Sequence, residues 1–223
     1  MRAQRIGVLG GTFDPVHNAH LDLALLFLKK LDLASIHFLP AGSPWQKTSV
    51  GASAPQRVAM LKIALQERGI AATIDERELR RAGPSYTVDS LREIRAELGW
   101  DAQVDLLIGA DQLLRLHTWS RWQEIFTLAN LAVGGRPHFA LQPEALDPAV
   151  SAEVGRRQVN SSELPAGLNA PMGQIALIPA DLGDTSSSAV RESLSHRDFE
   201  SVRHLIPSKV LRYIRQNNLY APP

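Results

Sequence analysis

The sequence predicts an α/β protein with a doubly wound, mainly parallel sheet and a C-terminal helical segment. Short apolar runs of strand length alternate with stretches of helical spacing, the connections between them are short, and glycine follows several of the runs. Alternation of this kind is typical of parallel sheets that are built from right-handed crossovers and covered by helices on both faces.

Six apolar runs are predicted to form the strands of this sheet. They lie at 6–9, 36–39, 72–74, 104–108, 131–133 and 175–178. The run at 104–108 has the strongest strand pattern and ends at Gly109. Because sheets of this class bind ligands beyond the carboxyl ends of their strands, the residues that follow each run are candidates for a site.

Helices are predicted between and after these strands. They are expected at about 20–28, from about 55 onward, at 87–98, near 122–125, near 150–157 and at 208–217. End signals support several of them: Pro55 suits a first turn, Thr87 is predicted to cap the third helix, and Gly99 closes it. Ser120 and Gln123 have the spacing of a capping box.

The composition is that of a globular protein. In 223 residues, 44% are hydrophobic and 21% are charged, which predicts a single domain over residues 1–223. The stretch at about 138–173 breaks the alternation and is predicted to be inserted or mobile. Lys and Arg number 24 against 23 Asp and Glu, so the net charge of +1 does not indicate a nucleic-acid partner. A homo-oligomer is compatible with the sequence.

Cysteine usage and hydropathy bear on the compartment. The chain has no cysteine, which excludes disulfides, thiolate metal sites and thiol nucleophiles. The apolar run near the N-terminus is too short for a signal peptide, and no later stretch is long enough to span a bilayer. A cytoplasmic protein with no membrane partner is therefore expected.

The first segment with a chemical signature is 10–20, which reads Gly-Gly-Thr-Phe-Asp-Pro-Val-His-Asn-Ala-His. Gly10 and Gly11 follow a predicted strand, and glycines let backbone amides approach phosphate oxygens closely. The helix that begins here adds oriented N–H groups and a partial positive charge. His17 and His20 are three residues apart, so both can lie on one face and donate to the same phosphate. The segment predicts a phosphate site.

Two histidines at short spacing are also compatible with a metal site. No cysteine exists and no carboxylate follows at the spacing of a zinc site, so phosphate contact is favoured and no metal ligand is assigned to a protein side chain. The segment is neither a dinucleotide fingerprint nor a P-loop, because it lacks both Gly-x-Gly-x-x-Gly and Gly-Lys-Ser/Thr.

The same segment resembles the (G)xFDPxHxxH motif of the nucleotidylyltransferase superfamily. Residues 11–15, Gly-Thr-Phe-Asp-Pro, carry the resemblance together with the two histidines, and Ala19 stands where the family generally has glycine. The resemblance implies a Rossmann-like fold. It also implies that Gly10, Gly11, Thr12 and Phe13 bind the phosphates of ATP.

A second element, 185–191, resembles the family's ISSTxIR motif, with Thr185 at the position of its isoleucine. Hydroxyls at the start of a helix, here Ser187 and Ser188, can cap it and hold phosphate oxygens, while Arg191 offers a planar fork of donors. A serine cluster before a helix is by itself usually only a cap. Paired with the first motif, the resemblance implies the other wall of an ATP pocket.

Further segments resemble the nicotinate mononucleotide adenylyltransferases of bacteria. The matching segments are 75–79, 84–87, 109–119 and 205–220, so the similarity covers most of the chain outside 138–173. It implies that Tyr86, Thr87 and Trp119 bind nicotinate mononucleotide and that Gly109 and Asp111 belong to the ATP site. On the residues alone, core packing would explain Trp119 and a helix cap would explain Asp111.

The resemblance implies transfer of the adenylyl group of ATP to nicotinate mononucleotide, with pyrophosphate released and Mg²⁺ bridging the triphosphate. His17, His20, Lys47 and Arg191 would be the catalytic residues that offset phosphate charge. Residues 44–47, Pro-Trp-Gln-Lys, replace the family's Pro-Pro-His-Lys or Pro-Pro-His-Arg, so Lys47 keeps the positive charge.

Two kinds of alternative remain: other members of the same superfamily, and a protein of a different functional class. The nearer ones are a cytidylyltransferase, or an adenylyltransferase that acts on nicotinamide mononucleotide or pantetheine phosphate. The segments with Tyr86 and Trp119 argue against a pantetheine-phosphate enzyme or a cytidylyltransferase, but they do not separate the nicotinate from the nicotinamide substrate. The more distant one is a nucleotide sensor without turnover, which the retained histidines, Lys47 and Arg191 disfavour.

Overall fold

A computed structural model describes residues 5–43, 50–135, 145–182 and 185–221. Within these residues, seven strands form one sheet in the order β3-β2-β1-β4-β5-β7-β6, and the strand pairs are parallel. The strands are β1 (Arg5–Gly11), β2 (Ile36–Pro40), β3 (Ala72–Ile74), β4 (Gln103–Gly109), β5 (Asn130–Gly135), β6 (Gln158–Val159) and β7 (Ile175–Pro179). The chain builds outward from β1 to one edge and then to the other, which confirms the predicted doubly wound fold.

Helices cover both faces of this sheet. The described ranges contain α1 (Asn18–Lys30), α2 (Ala54–Arg68), α3 (Arg77–Arg80), α4 (Thr87–Leu98), α5 (Ala110–Leu114), α6 (Ile125–Leu128), α7 (Pro148–Arg157), α8 (Ser187–Ser195), α9 (Phe199–Val202) and α10 (Ser208–Gln216). The predicted C-terminal helical segment is therefore confirmed. Within the described ranges, no helix combines the length and the apolar character that a membrane span requires.

Side chains that alternate along each strand divide the interior into two apolar cores. Leu9 of β1 points into a first core, which α1, α2, α8 and α10 cover. Ile6 and Val8 of the same strand point into a second core, which α4, α6 and α7 cover. Because both faces are buried, the strands read as apolar runs rather than as an alternation with polar residues.

Three local predictions are wrong. β6 was not expected among the six strands, because two residues are too short to produce a pattern. Thr87 is the first residue of α4, and Tyr86 occupies the capping position without a side-chain hydrogen bond. Ser120 and Gln123 form no capping box at the start of the 3₁₀ turn Trp122–Glu124, because Arg121, in a left-handed conformation, precedes the turn.

The segment 158–173 is tied to the sheet through a buried arginine of α4. Arg95 donates from Nη2 to the carbonyl of Pro171 at 2.8 Å and from Nε to the carbonyl of Leu128 at 2.6 Å. It also donates from Nη1 to the carbonyls of Ala102 and Gly99, at 2.6 and 3.1 Å. One guanidinium therefore satisfies carbonyl groups from several connections that cross the same end of the second core.

Replacing Arg95 by Met is expected to lower the free energy of unfolding by about 2 kcal/mol, because buried carbonyl groups would lose their donors. Urea unfolding followed by circular dichroism measures this difference. Arg92→Met on the same helix is the matched control. Arg92 is exposed and pairs with Glu124, so its loss is expected to cost less than about 1 kcal/mol. Equal effects of the two variants would contradict the structural role of Arg95.

Candidate active site

The two histidines of the first motif lie together at the start of α1, beyond the carboxyl end of β1. His17 is the capping residue and His20 follows in the first turn. Their rings are stacked with centroids 3.7 Å apart, and the backbone N–H of His17 donates to Nδ1 of His20 at 3.3 Å. Because this hydrogen bond makes Nδ1 of His20 the acceptor, a neutral ring carries its proton on Nε2 and can donate from there.

Phe13 fixes the turn between β1 and the histidines. Its backbone is left-handed, with φ of 51°, and its buried ring meets the edge of His20 with centroids 5.2 Å apart. A Cβ atom on Gly11 would lie 2.8 Å from the Phe13 ring, so that position requires glycine. Open space lies beside Gly10. The backbone here can therefore approach a ligand on the open side of the turn.

The second motif packs directly on the first. Ser187 Oγ donates to the carbonyl of Pro15 at 3.3 Å, and Arg191 Nη1 donates to the carbonyl of Asp14 at 2.8 Å. Arg191 Nη2 also donates to Ser188 Oγ at 3.3 Å. Ser186 caps α8, since its side chain accepts from the backbone of Ala189. The structure thus brings together two motifs that are separated by more than 160 residues of sequence.

Asp14, a residue of the first motif, is fully buried where the second motif packs on the first. Its carboxylate accepts from the backbone N–H groups of Gly51 and Ala52, at 2.8 and 3.0 Å, and from the hydroxyl of Tyr220 at 2.8 Å. Arg191 Nη1 lies 3.7 Å from its Oδ2. A buried carboxylate needs such compensation, because desolvation would otherwise make its charge very costly.

A buried arginine supports the same turn from below. Arg57 of α2 is 2% exposed and donates to the carbonyls of Thr12 and Ala41, each at 2.7 Å. Burial lowers the pKa of Arg57, and the negative charge of Asp14 opposes that shift. Arg57 therefore joins the turn that follows β1 to the start of the loop that follows β2.

The turn before α4 is joined to that loop as well. Ser85 Oγ accepts from the backbone N–H groups of Gly42 and Ser43, at 3.0 and 3.2 Å. Behind it, buried Glu78 accepts from Ser90 Oγ at 2.7 Å; burial raises the pKa of Glu78, although the Ser90 hydrogen bond opposes the shift. Tyr86 and Thr87 follow Ser85, so their position is set by this network.

Gly109 and Asp111 lie at the carboxyl end of β4. Gly109 precedes α5, and Asp111 lies in the first turn of that helix. The Asp111 carboxylate folds back over Gly109, since a Cβ atom there would lie 2.6 Å from its Oδ1. Its other oxygen accepts from Gln112 at 2.7 Å. Asp111 is exposed beyond the carboxyl end of β4, the side on which sheets of this class bind ligands.

Trp119 and Tyr86 both pack on the border of the second core. Trp119 directly follows the 3₁₀ turn Leu116–Thr118 and is partly buried. Its indole N–H is buried and has no acceptor among the described residues. Packing against the second core therefore explains why part of the Trp119 ring is buried. The indole N–H still requires an acceptor, which the described chain does not supply.

Several residues that shape this region were not singled out from the sequence. They are Asp14, Gly51, Arg57, Ser85 and Tyr220. Asp14 stands inside the first motif and Tyr220 inside a matching segment, but no pattern reveals that they touch. Lys47, Trp45 and Gln46 lie outside the described residues. Among those that are described, no group of three or more His, Asp or Glu side chains is arranged to hold a metal ion.

Comparison with known proteins identifies the class. The family model described as cytidylyltransferase-like matches residues 8–193. A probable nicotinate-nucleotide adenylyltransferase of Chromobacterium violaceum is 46% identical over 97% of this chain and 98% of its own length. One from Laribacter hongkongensis is 42% identical over 96% of this chain and 94% of its own. The chain therefore belongs to the cytidylyltransferase-like family and, within it, to the nicotinate-nucleotide adenylyltransferases.

Solved structures agree on the fold. The nicotinic acid mononucleotide adenylyltransferase of Plasmodium falciparum, solved in complex with NaAD, superposes with a TM-score of 0.74 at 19% identity, covering 97% of each chain. The same enzyme complexed with APC gives 0.71. At this identity the similarity speaks for the shared sheet and helices, and it confirms the Rossmann-like nucleotidylyltransferase fold.

Proposed function

We propose that this protein transfers the adenylyl group of ATP to nicotinate mononucleotide, forming deamido-NAD and pyrophosphate. The observation that carries the proposal is the contact between the two motifs, in which Arg191 donates to the backbone of Asp14 beside the paired histidines. Donors from two distant segments thus converge on one turn beyond the carboxyl end of β1. Full-length similarity to nicotinate-nucleotide adenylyltransferases supports the choice of acceptor.

The reaction exchanges one phosphorus–oxygen bond for another. A phosphate oxygen of nicotinate mononucleotide attacks the α-phosphorus of ATP, and the bond from that phosphorus to the bridging oxygen breaks, so pyrophosphate leaves with the electron pair. The attacking phosphate is ionised at neutral pH, so neither a general base nor a covalent enzyme intermediate is required. Catalysis then depends on positioning and on stabilising charge.

The histidines and Arg191 supply that stabilisation in this proposal. His20 donates from Nε2 to a phosphate oxygen, since its Nδ1 accepts from the His17 backbone. A guanidinium carries five N–H groups. Hydrogen bonds from two nitrogens of Arg191, to Asp14 and Ser188, hold it in place, while its side chain stays 23% exposed. Lys47 is proposed to add a positive charge. Gly10 to Phe13, with Ser187 and Ser188, would hold the remaining phosphate oxygens.

The acceptor is proposed to bind between α4 and Trp119. The N-terminus of α4, at Tyr86 and Thr87, offers backbone N–H groups and a partial positive charge, which favour a carboxylate over a neutral amide. Trp119 offers its ring for stacking on the pyridine and its indole N–H for an acceptor. Ser85 fixes the turn before α4 to the loop after β2, because its hydroxyl accepts from the backbone N–H groups of Gly42 and Ser43.

Mg²⁺ is proposed to enter with ATP as part of the substrate. Magnesium usually keeps several waters and binds phosphates together with only one or two carboxylates. Exposed Asp111 at the end of β4 fits that requirement, as a contact to the adenosine ribose or to a water on the ion.

We further propose that residues 1–223 act as a single domain, and the use of ATP supports a cytoplasmic location.

Pyrophosphate release from Mg·ATP tests the proposal, with nicotinate mononucleotide and nicotinamide mononucleotide assayed in parallel. The nicotinate form is expected to give a kcat/KM at least about tenfold higher, because donors that face a carboxylate are poorly matched by an amide. Pantetheine phosphate serves as the control acceptor and is expected to give no release. A preference for nicotinamide mononucleotide would change the assigned acceptor. Absence of pyrophosphate release with every acceptor would contradict the proposed reaction.

A further inference from the structure

The last residues of the chain reach the centre of the candidate active site. Helix α10 packs against α2, and Glu67 of α2 holds its first turn by accepting from the backbone N–H groups of Ser208 and Lys209, at 3.1 and 2.9 Å. Val210 and Ile214 of α10 are fully buried in the first core. The turn after α10 then carries Tyr220 to the first motif.

The Tyr220 hydroxyl completes the shell of the Asp14 carboxylate. It donates to Oδ1 at 2.8 Å across 206 positions of sequence. Burial and, next, the negative charge of Asp14 raise the pKa of Tyr220 above its ordinary value, so the hydroxyl keeps its proton. The other oxygen, Oδ2, accepts from Gly51 and faces Arg191 at 3.7 Å. The position of this carboxylate therefore affects the positions of both Gly51 and the Arg191 guanidinium.

The Tyr220 ring also packs closely against the backbone at Gly51. A Cβ atom on Gly51 would lie 2.7 Å from the ring and 3.2 Å from Cδ of Arg191. Gly51, Arg191 of the second motif and Tyr220 near the end of the chain thus meet without space for one more carbon. Glycine at this position permits the close approach.

We propose that Tyr220 is a positioning residue for adenylyl transfer, which holds Asp14 and Gly51 so that Arg191 faces the phosphates of ATP. The inference rests on the proposed function. Tyr220 acts through its neighbours, because its hydroxyl is bonded to the buried Asp14. Without that bond, the carboxylate loses a donor and is left with stronger attraction for Arg191, which draws the guanidinium away from the nucleotide.

The test compares Tyr220→Phe with Tyr213→Phe, a matched loss of a hydroxyl on α10 that does not involve Asp14. In Tyr220→Phe, kcat for pyrophosphate release per folded molecule is expected to fall about tenfold and KM for ATP to rise, while KM for the acceptor stays within about twofold. Tyr213→Phe is expected to match the wild type. Folding of each variant is checked by circular dichroism at the assay temperature.

Gly51→Ala provides a second, independent variant, because the added methyl group displaces the Tyr220 ring while the hydroxyl stays in the chain. It is expected to lower kcat similarly, and the double variant with Tyr220→Phe is expected to lose less than the product of the two single effects. Wild-type rates in both single variants, or a loss explained by the unfolded fraction alone, would overturn the inference.

A failure of the proposed function can be told apart from a failure of this inference. If the wild type releases no pyrophosphate, the reaction is wrong, and the inference is then decided by ATP affinity from isothermal titration calorimetry. Weaker ATP binding in Tyr220→Phe than in Tyr213→Phe would support the positioning role. Equal binding in both variants would overturn it.

Discussion

Replacing His20 by Ala is expected to lower kcat for pyrophosphate release by about two to three orders of magnitude, the loss typical of removing one donor to transition-state charge. The stability change is expected to be small, because Ala is a good helix former and His20 lies in the first turn of α1. The measurement is kcat at saturating ATP and acceptor, with urea unfolding as the check on folding.

His196→Ala is the control for this prediction, since His196 is exposed at the end of α8 and bonds to the carbonyl of Glu192. Its turnover is expected to equal that of the wild type. A His20→Gln variant tests the chemistry further, because an amide can still donate a hydrogen bond and is expected to retain more activity than Ala. Near-normal turnover in His20→Ala would remove the histidines from the proposed mechanism.

Replacing Arg57 by Met is expected to lower the free energy of unfolding by about 4 kcal/mol, because two carbonyl groups would each lose a charged donor at about 2 kcal/mol. The carbonyls of Thr12 and Ala41 would lose their donors, and buried Asp14 would lose a nearby positive charge. Because both carbonyls belong to loops at the site, turnover of the molecules that remain folded is also expected to fall. Urea unfolding and pyrophosphate release measure the two effects separately.

Arg68→Met, at the end of the same helix, is the matched control. Arg68 forms an exposed ion pair with Asp22, so its loss is expected to cost less than about 1 kcal/mol and to leave turnover unchanged. Arg57→Lys keeps the charge, but an ammonium lacks the planar fork that reaches both carbonyls, so an intermediate stability is expected. A loss in Arg57→Met no larger than in Arg68→Met would show that Arg57 is not a structural link.

Strands and helices were predictable where each made its own local pattern. β3 occupies the predicted run at 72–74, and Pro55 lies in the first turn of α2 as expected. Two of the three failures share one cause, since the two-residue strand β6 and the cap at Tyr86 depend on what the chain packs against. The sheet edge supplies the partner for β6, and no local signal of strand formation is needed.

The candidate site divides in the same way. His17, His20, Ser187 and Arg191 were predicted as site residues because their motifs have fixed spacing, and the structure brings these two motifs into contact. Asp14, Arg57 and Tyr220 could not be connected, because their hydrogen bonds join positions up to 206 apart. Sequence spacing carries information about neighbours along a helix or strand, whereas these contacts arise only after the sheet has formed.

The turn and helix start at 10–20 were determined by the sequence alone, since glycine freedom, the start of a helix and the three-residue spacing of the histidines are all local properties. The parallel sheet was determined in the same way by the order of apolar runs. Only the tertiary structure decided that Asp14 in this segment is buried, and only it brought an arginine of α2 and a tyrosine from the end of the chain to the segment. A buried charge must find its partners in three dimensions, and their distance along the sequence does not matter.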